Sequence, residues 1–331
     1  MPRELLLRES ELRELIRLDA AAVAAVEDAF RRLATERVVM PPVMRLDMPE
    51  VNGEVDVKSA WLPGLDVFAI KVSPGFFDNP KLGLPSLNGL MLLLSSRTGQ
   101  TEAVLLDNGY LTAVRTAAAG AVAAKWLSRE ESETAAVIGA GEQARLQLEA
   151  LLLVRPVRRV RVWARRPEAA YDYAREMGER LKIDVQPVDT VRAAAQDADV
   201  VITTTPSSQP LLRGEWLAKG AHVTAMGSDA PHKNELHPSV FERAGTYVAD
   251  RRSQCEVMGE LRHALAAGVV PGSRSVPELG EVIAGRAPGR SDRHEITVAD
   301  LTGTGAQDTA IAALAFARAQ ERVDSKGVST K

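Results

Sequence analysis

The densest chemical signal in the chain is the run Gly139-Ala140-Gly141-Glu142-Gln143-Ala144, directly after the apolar stretch Ala135–Ile138. A glycine at 139 permits a tight turn. A glycine at 141 lets backbone come close to a pyrophosphate, and a small residue at 144 lets a helix pack on its strand. The free N–H groups opening that helix would hold the phosphates. A strand–helix turn without a ligand could use the same glycines, but the strand before and the helical and alternating pattern after favour dinucleotide binding. The next strand pattern ends Val162-Trp163-Ala164-Arg165-Arg166. An NAD site usually carries an acid at this tip for the ribose 2′-hydroxyl, and here there is none. Arg165 or Arg166 could bind a 2′-phosphate instead, so NADP is expected ahead of NAD. The plainer reading is a pair of solvated arginines at a helix start.

Other residues offer chemistry with less certain context. Lys71 lies in the apolar run Val67–Val72, where burial would lower its pKa and suit it to proton transfer. Strand alternation could equally turn it to water. Arg115 stands just inside the start of the Ala-rich stretch Leu111–Leu127, where its fork can clamp a carboxylate or a phosphate. Asp229 follows the apolar run His222–Ala225, at the strand end where doubly wound sheets bind ligands; capping a helix is its plainer reading. Lys233, four residues on, could simply pair with it. Thr203 and Thr204 close a further strand pattern at the same edge. None of the five histidines has catalytic spacing, and the single Cys255 has no Cys/His companions, so no metal and no internal disulfide are expected.

The elements that must position these residues fall into two textures. A helical pattern, Leu15 to Leu33, opens the chain, and from Val38 to about Thr101 prolines punctuate short apolar runs in the manner of an antiparallel sheet. From Thr134 short apolar runs alternate with helical patterns, which means βαβ units and a parallel sheet. A last apolar segment runs into Thr302-Gly303-Thr304-Gly305 and a closing Ala-rich helix. The expected fold is α/β. A Rossmann-type doubly wound domain covers 126–305, and an α+β substrate and dimerisation domain is formed by 1–125 with 306–331. With 331 residues, 45% of them hydrophobic, there is ample material for two cores. The net charge of −3 argues against a nucleic-acid partner, and no apolar run is long enough to span a membrane. A soluble, cytoplasmic protein is expected.

The motifs together resemble the ornithine cyclodeaminase/μ-crystallin family. The matching segments are Ile70-Lys71-Val72, Leu111–Ala118, the glycine loop, Met226–Asp229, Lys233–Leu236 and Leu301–Asp308, in family order and across nearly the whole chain. The resemblance implies a homodimer, and it implies that Arg45, Lys71 and Arg115 surround a substrate carboxylate. Lys71 and Asp229 become a proton-transfer pair facing one another across an interdomain cleft. Cofactor contacts are implied for Ser86, Arg115, the loop Gly139 to Gln143, Thr203, Thr204, Met226, Gly227, Lys233, Thr302 and Gly303. Lys58 departs from the family: it stands where the cyclodeaminases carry a substrate-contacting glutamate. A lysine there repels the distal amine of ornithine and favours an acidic substrate. The first expectation is therefore an NAD(P)H-dependent reductase of an imino or ketimine acid, in amino-acid or ectoine breakdown. The alternatives are a cyclising lyase with recycled NAD, and a non-catalytic NADP-binding protein.

Overall fold

The computed structural model describes residues 4–270 and 276–328, and the chain divides into two compact units, Met1–Arg115 with Thr304–Lys331 and Thr116–Gly303. The first boundary falls inside the helix Tyr110–Leu127, earlier than the junction expected near residue 125. The sequence does not mark it, because the helical pattern runs unbroken through it from Leu111 to Leu127.

The first unit holds a sheet of β1 (Leu5–Arg8), β2 (Met44–Met48), β3 (Gly53–Ala60), β4 (Val67–Phe76), β5 (Leu90–Ser95) and β6 (Thr101–Leu106), in the order β1-β6-β5-β4-β3-β2. All pairs are antiparallel except β1 with β6. The opening segment is two helices, Glu9–Leu15 and Ala20–Thr35, and Asp19 caps the second by accepting from the Ala22 N–H at 2.9 Å. The final helix, Gly305–Val328, lies over β3, β4 and β5 and against Ala20–Thr35. Its start comes so near β3 that a Cβ on Gly305 would sit 2.4 Å from the Ser59 carbonyl oxygen.

Alternation assigns the two faces of this sheet. Val67, Ala69, Met91, Leu93, Ala103 and Leu105 turn toward the helices and pack with Ile311, Ala315 and Phe316. Further along the same face the side chains become charged: Lys71 follows Ala69 at the two-residue period, with Lys58 opposite it on β3. The other face carries Leu6, Val104, Leu92 and Ile70 side by side in register, half-buried or exposed.

The second unit is a parallel sheet of β7 (Thr134–Ile138), β8 (Arg159–Trp163), β9 (Asp184–Pro187), β10 (Val200–Thr203), β11 (His222–Ala225), β12 (Ala244–Ala249) and β13 (Ile296–Asp300), in the order β12-β13-β11-β10-β7-β8-β9. Alternate residues of β7 enter opposite cores, Ala136 and Ile138 one and Ala135 and Val137 the other. Burial on both faces is why the central strands β7 and β10 read as nearly unbroken apolar runs, whereas β8 and β9 toward one edge alternate. No described helix is long and apolar enough to cross a membrane.

Candidate active site

β7 pairs with β8 on one side and β10 on the other, so its C-terminal end lies at the point where strand order reverses and ligands bind. The glycine loop sits there. Gly139 has φ +121°, and a Cβ on it would lie 2.6 Å from Thr204 Oγ1, so both backbone and space demand glycine. Gly141 is the N-cap of the helix Glu142–Leu152, and a Cβ on it would meet nothing within 4 Å. That open backbone at a helix start, beside buried Ala144, fits the pyrophosphate of a dinucleotide. Ala140 is half-buried, Glu142 is exposed, and Gln143 accepts from Gln147 Nε2 at 3.5 Å. Arg165 and Arg166 are both exposed after β8.

Two buried carboxylates tie the neighbouring strand ends together. Glu235 accepts from Thr203 Oγ1 at 2.6 Å, from the Thr205 N–H at 2.6 Å and hydroxyl at 2.7 Å, and from the Gly227 N–H at 2.8 Å. It therefore joins the ends of β10 and β11, where Thr203, Thr204, Met226 and Gly227 stand. Burial pushes its carboxyl up, and these donors oppose the shift. Asp250 accepts from the N–H groups of Thr302 at 2.8 Å and Gly303 at 2.7 Å, fixing the loop after β13. Sequence reasoning missed both acids, because the loops they hold lie far apart in the chain. Glu235 did stand inside a quoted motif, as an acid between polar and apolar neighbours. Cys255 is buried, its thiol donates to Asp250 at 3.3 Å, and burial pushes it well up, so its role is packing.

Asp229 follows β11 in a turn, its side chain about half exposed, and no helix starts there, so it is not a helix cap. Lys233 donates to it at 2.5 Å, the plain pairing the four-residue spacing suggested. A groove of about 590 Å³ lined by Lys219, Arg243, His294 and Glu295 lies at the opposite, N-terminal ends of β11, β12 and β13, away from the ligand edge of such sheets.

In the first unit Lys71 is 2% exposed, on a central strand and facing the helices, so the water-facing alternative does not hold. Its Nζ donates to Asp308 Oδ1 at 3.1 Å, and Arg115 Nε donates to the same oxygen at 2.9 Å. Burial first, and then the Arg115 charge, lower the Lys71 ammonium to about 7. Burial alone would raise the Asp308 carboxyl, but Arg115 and Lys71 hold it below the usual range. Lys58 is 8% exposed, in cross-strand register with Lys71. Asp308 was missed as a site residue; it reads as one more acid in the first turn of a helix, and only the fold places it against Lys71.

Arg45 is on the same sheet face, opposite Asp56, but its guanidinium is engaged by Asp47 at 2.9 Å, by Glu54 and by Asp56 at 3.5 Å. The surface salt bridge with Asp47 is thus present and extended. Ser86 is half-buried in the loop between β4 and β5, and its carbonyl accepts from the Phe76 N–H at 2.7 Å. Among the described residues no group of three or more His, Cys, Asp or Glu side chains is arranged to hold a metal ion.

A doubly wound sheet with a glycine loop at its switch point, in a chain that also carries a separate α+β unit, defines a Rossmann-type α/β protein. The chain belongs to the ornithine cyclodeaminase/mu-crystallin family, whose model matches residues 3–323. A Rhizobium meliloti protein provisionally named a dehydrogenase is 62% identical over 319 residues, spanning 96% of this chain and 97% of its own. The Thermococcus litoralis Delta(1)-pyrroline-2-carboxylate reductase, solved with NADH and L-proline, superposes with a TM-score of 0.91 at 31% identity, over 96% of this chain and 98% of its own. The iminosuccinate reductase of Paracoccus denitrificans, solved with NAD+, gives a TM-score of 0.89 at 32% identity, over 96% and 97%.

Proposed function

We propose that the protein is a nicotinamide-dependent oxidoreductase that reduces the C=N bond of a small imino acid, yielding an amino acid. The observation that carries this reading is the buried Lys71–Asp308–Arg115 cluster: an amine poised to give up a proton near neutral pH, beside a guanidinium suited to a carboxylate. The two imine reductases among its structural neighbours support it.

When bound, the dinucleotide supplies the hydride for the carbon that bears nitrogen. The chain's residues do the rest. The glycine loop from Gly139 to Gln143, with Thr203, Thr204, Met226, Gly227, Thr302 and Gly303 at the adjoining strand ends, holds the cofactor, aided by Lys233 and Ser86. Arg115 binds the substrate carboxylate, and Lys71 Nζ carries a proton for the nitrogen, because the C=N carbon accepts hydride well only when that nitrogen is protonated. Asp229 serves as a second proton carrier at that nitrogen. Arg45, already held by three acids, shapes the charged end of the sheet face and is the weakest of the expected carboxylate contacts. Lys58, buried beside Lys71, favours a substrate with an acidic side chain over a diamino acid.

The exposed guanidiniums of Arg165 and Arg166 suit a 2′-phosphate, whereas the two neighbours named above carry NADH and NAD+. Both dinucleotides therefore belong in the assay. The segment Thr224–Asp229 with His232–Leu236 resembles ectoine utilization protein C, so an imino acid from ectoine breakdown joins the substrate panel.

The experiment follows nicotinamide absorbance while imines, made from 2-oxo acids plus ammonia or supplied as cyclic imino acids, are added. Net oxidation of NADH or NADPH is expected. Ammonia release from a diamino acid without net oxidation would make the protein a cyclising lyase instead. Loss of NADPH preference in Arg165→Ala or Arg166→Ala would assign that contact, at roughly 1.5–3 kcal/mol for a charged hydrogen bond. An unchanged ratio in both variants removes it.

A further inference from the structure

Asp308 touches both Lys71 and Arg115, the paired cations of the first unit's cluster. It is fully buried at the first turn of the final helix, and its Oδ1 accepts from Lys71 Nζ at 3.1 Å and from Arg115 Nε at 2.9 Å. Arg115 is further fixed by donating through Nη1 to Gln307 Oε1 at 3.2 Å, and that oxygen also accepts from the Thr304 N–H at 2.8 Å. The charged groups facing Lys71 come from every side: Lys58 from β3, Arg115 from the helix Tyr110–Leu127, Asp308 from the final helix, and Asp107 from the turn after β6. The two acids differ in what they do. Asp107 Oδ2 accepts from the Leu111 N–H at 2.9 Å and acts on Lys71 only through its field, whereas Asp308 holds the ammonium directly.

We propose that Asp308 is the positioning residue of this site: it fixes the Lys71 ammonium and the Arg115 guanidinium relative to one another and supplies the counter-charge that keeps a proton on Nζ. The role rests on the reading of Lys71 as proton carrier. It explains why a carboxylate stays buried where burial alone is unfavourable: removing it would leave three cations, Lys58, Lys71 and Arg115, with less to oppose them. It also makes the final helix, from the far end of the chain, a component of the chemistry.

The chain has nine lysines, so lysine labelled with ¹³C at Cε gives a readable set of resonances, and Lys71→Met identifies the one that belongs to Lys71. In the wild-type protein that resonance should titrate near 7. In Asp308→Asn it should move down by about one pH unit or more, because an opposite charge is gone and like charges remain. The pH limb of imine reduction should move with it, and KM should rise as Arg115 is released. Asp308→Glu keeps the charge on a longer arm, so its Lys71 titration should stay near that of the wild type while KM rises. A folded Asp308→Asn protein whose Lys71 resonance titrates as before overturns the proposal. If Asp308→Asn does not fold, an unchanged KM in Asp308→Glu overturns it. If the resonance shifts but Lys71→Met retains full turnover, the proton-carrier reading falls, and Asp308 stands only as the holder of the two cations.

Discussion

Lys71 shows how much a single side chain's meaning depends on which way its strand turns. In the sequence it was an amine in an apolar run, with two outcomes open. In the fold it shares a face with Val67 and Ala69, and its partner is an acid 237 residues away. General acid–base help of the proposed kind contributes about 10²–10⁴-fold in rate. Lys71→Met and Asp229→Asn should each lower turnover by about that factor while leaving dinucleotide affinity nearly unchanged, as read by steady-state kinetics and cofactor titration. Changing both should cost less than the two single losses combined if the residues act on one proton-transfer step. Near-normal turnover in Asp229→Asn would remove it from the chemistry and leave it as the partner of Lys233.

At the scale of elements, the glycine loop was legible because each of its positions has a separate physical demand, and those demands survive in the structure. Gly141→Val should fold normally, since no neighbour lies within 4 Å of the added Cβ, yet lose dinucleotide binding as its side chain fills the backbone approach. Circular dichroism and cofactor titration separate the two effects; normal titration would mean the loop holds no pyrophosphate. The central strands β7 and β10 were legible for a related reason: burial on both faces writes a continuous apolar run. β1 was not. Four residues, Leu5–Arg8, give too short an alternation to register, and they run straight into a helix. Glu235, Asp250 and Asp308 were also hidden. The roles of Glu235 and Asp250 are set by N–H groups and hydroxyls that other loops deliver, and that of Asp308 by cations brought in from β4 and the helix Tyr110–Leu127. No local spacing encodes such a meeting.

At the scale of the whole molecule two properties follow. The first unit's sheet is covered by helices on one face, while the other presents Leu6, Val104, Leu92 and Ile70 in one row. A second copy is the simplest cover for such a row, so light scattering at micromolar concentration should give twice the chain mass, and Ile70→Asp or Leu92→Asp should halve it. A single-chain mass for the wild type contradicts this. Stability should also respond to pH through Asp300, whose carboxyl burial pushes up to about 6. A raised acid stabilises the fold below its unfolded value near 3.9 and loses that contribution as pH rises through about 6. Two pKa units correspond to about 3 kcal/mol, so the melting temperature should fall across that window, and Asp300→Asn should flatten the fall. An equally steep fall in Asp300→Asn would place the titrating group elsewhere. Last, the first unit is assembled from both ends of one chain. As the polypeptide is synthesised, Val67, Ala69, Met91 and Leu93 can meet Leu12, Ile16 and Ala22 early, but their packing against Ile311, Ala315 and Phe316 waits until those residues have been made. The second unit has all of its strands by then. The core of the first unit can therefore be completed only after every residue of the second has been made, so the unit that starts the chain is the last that can close.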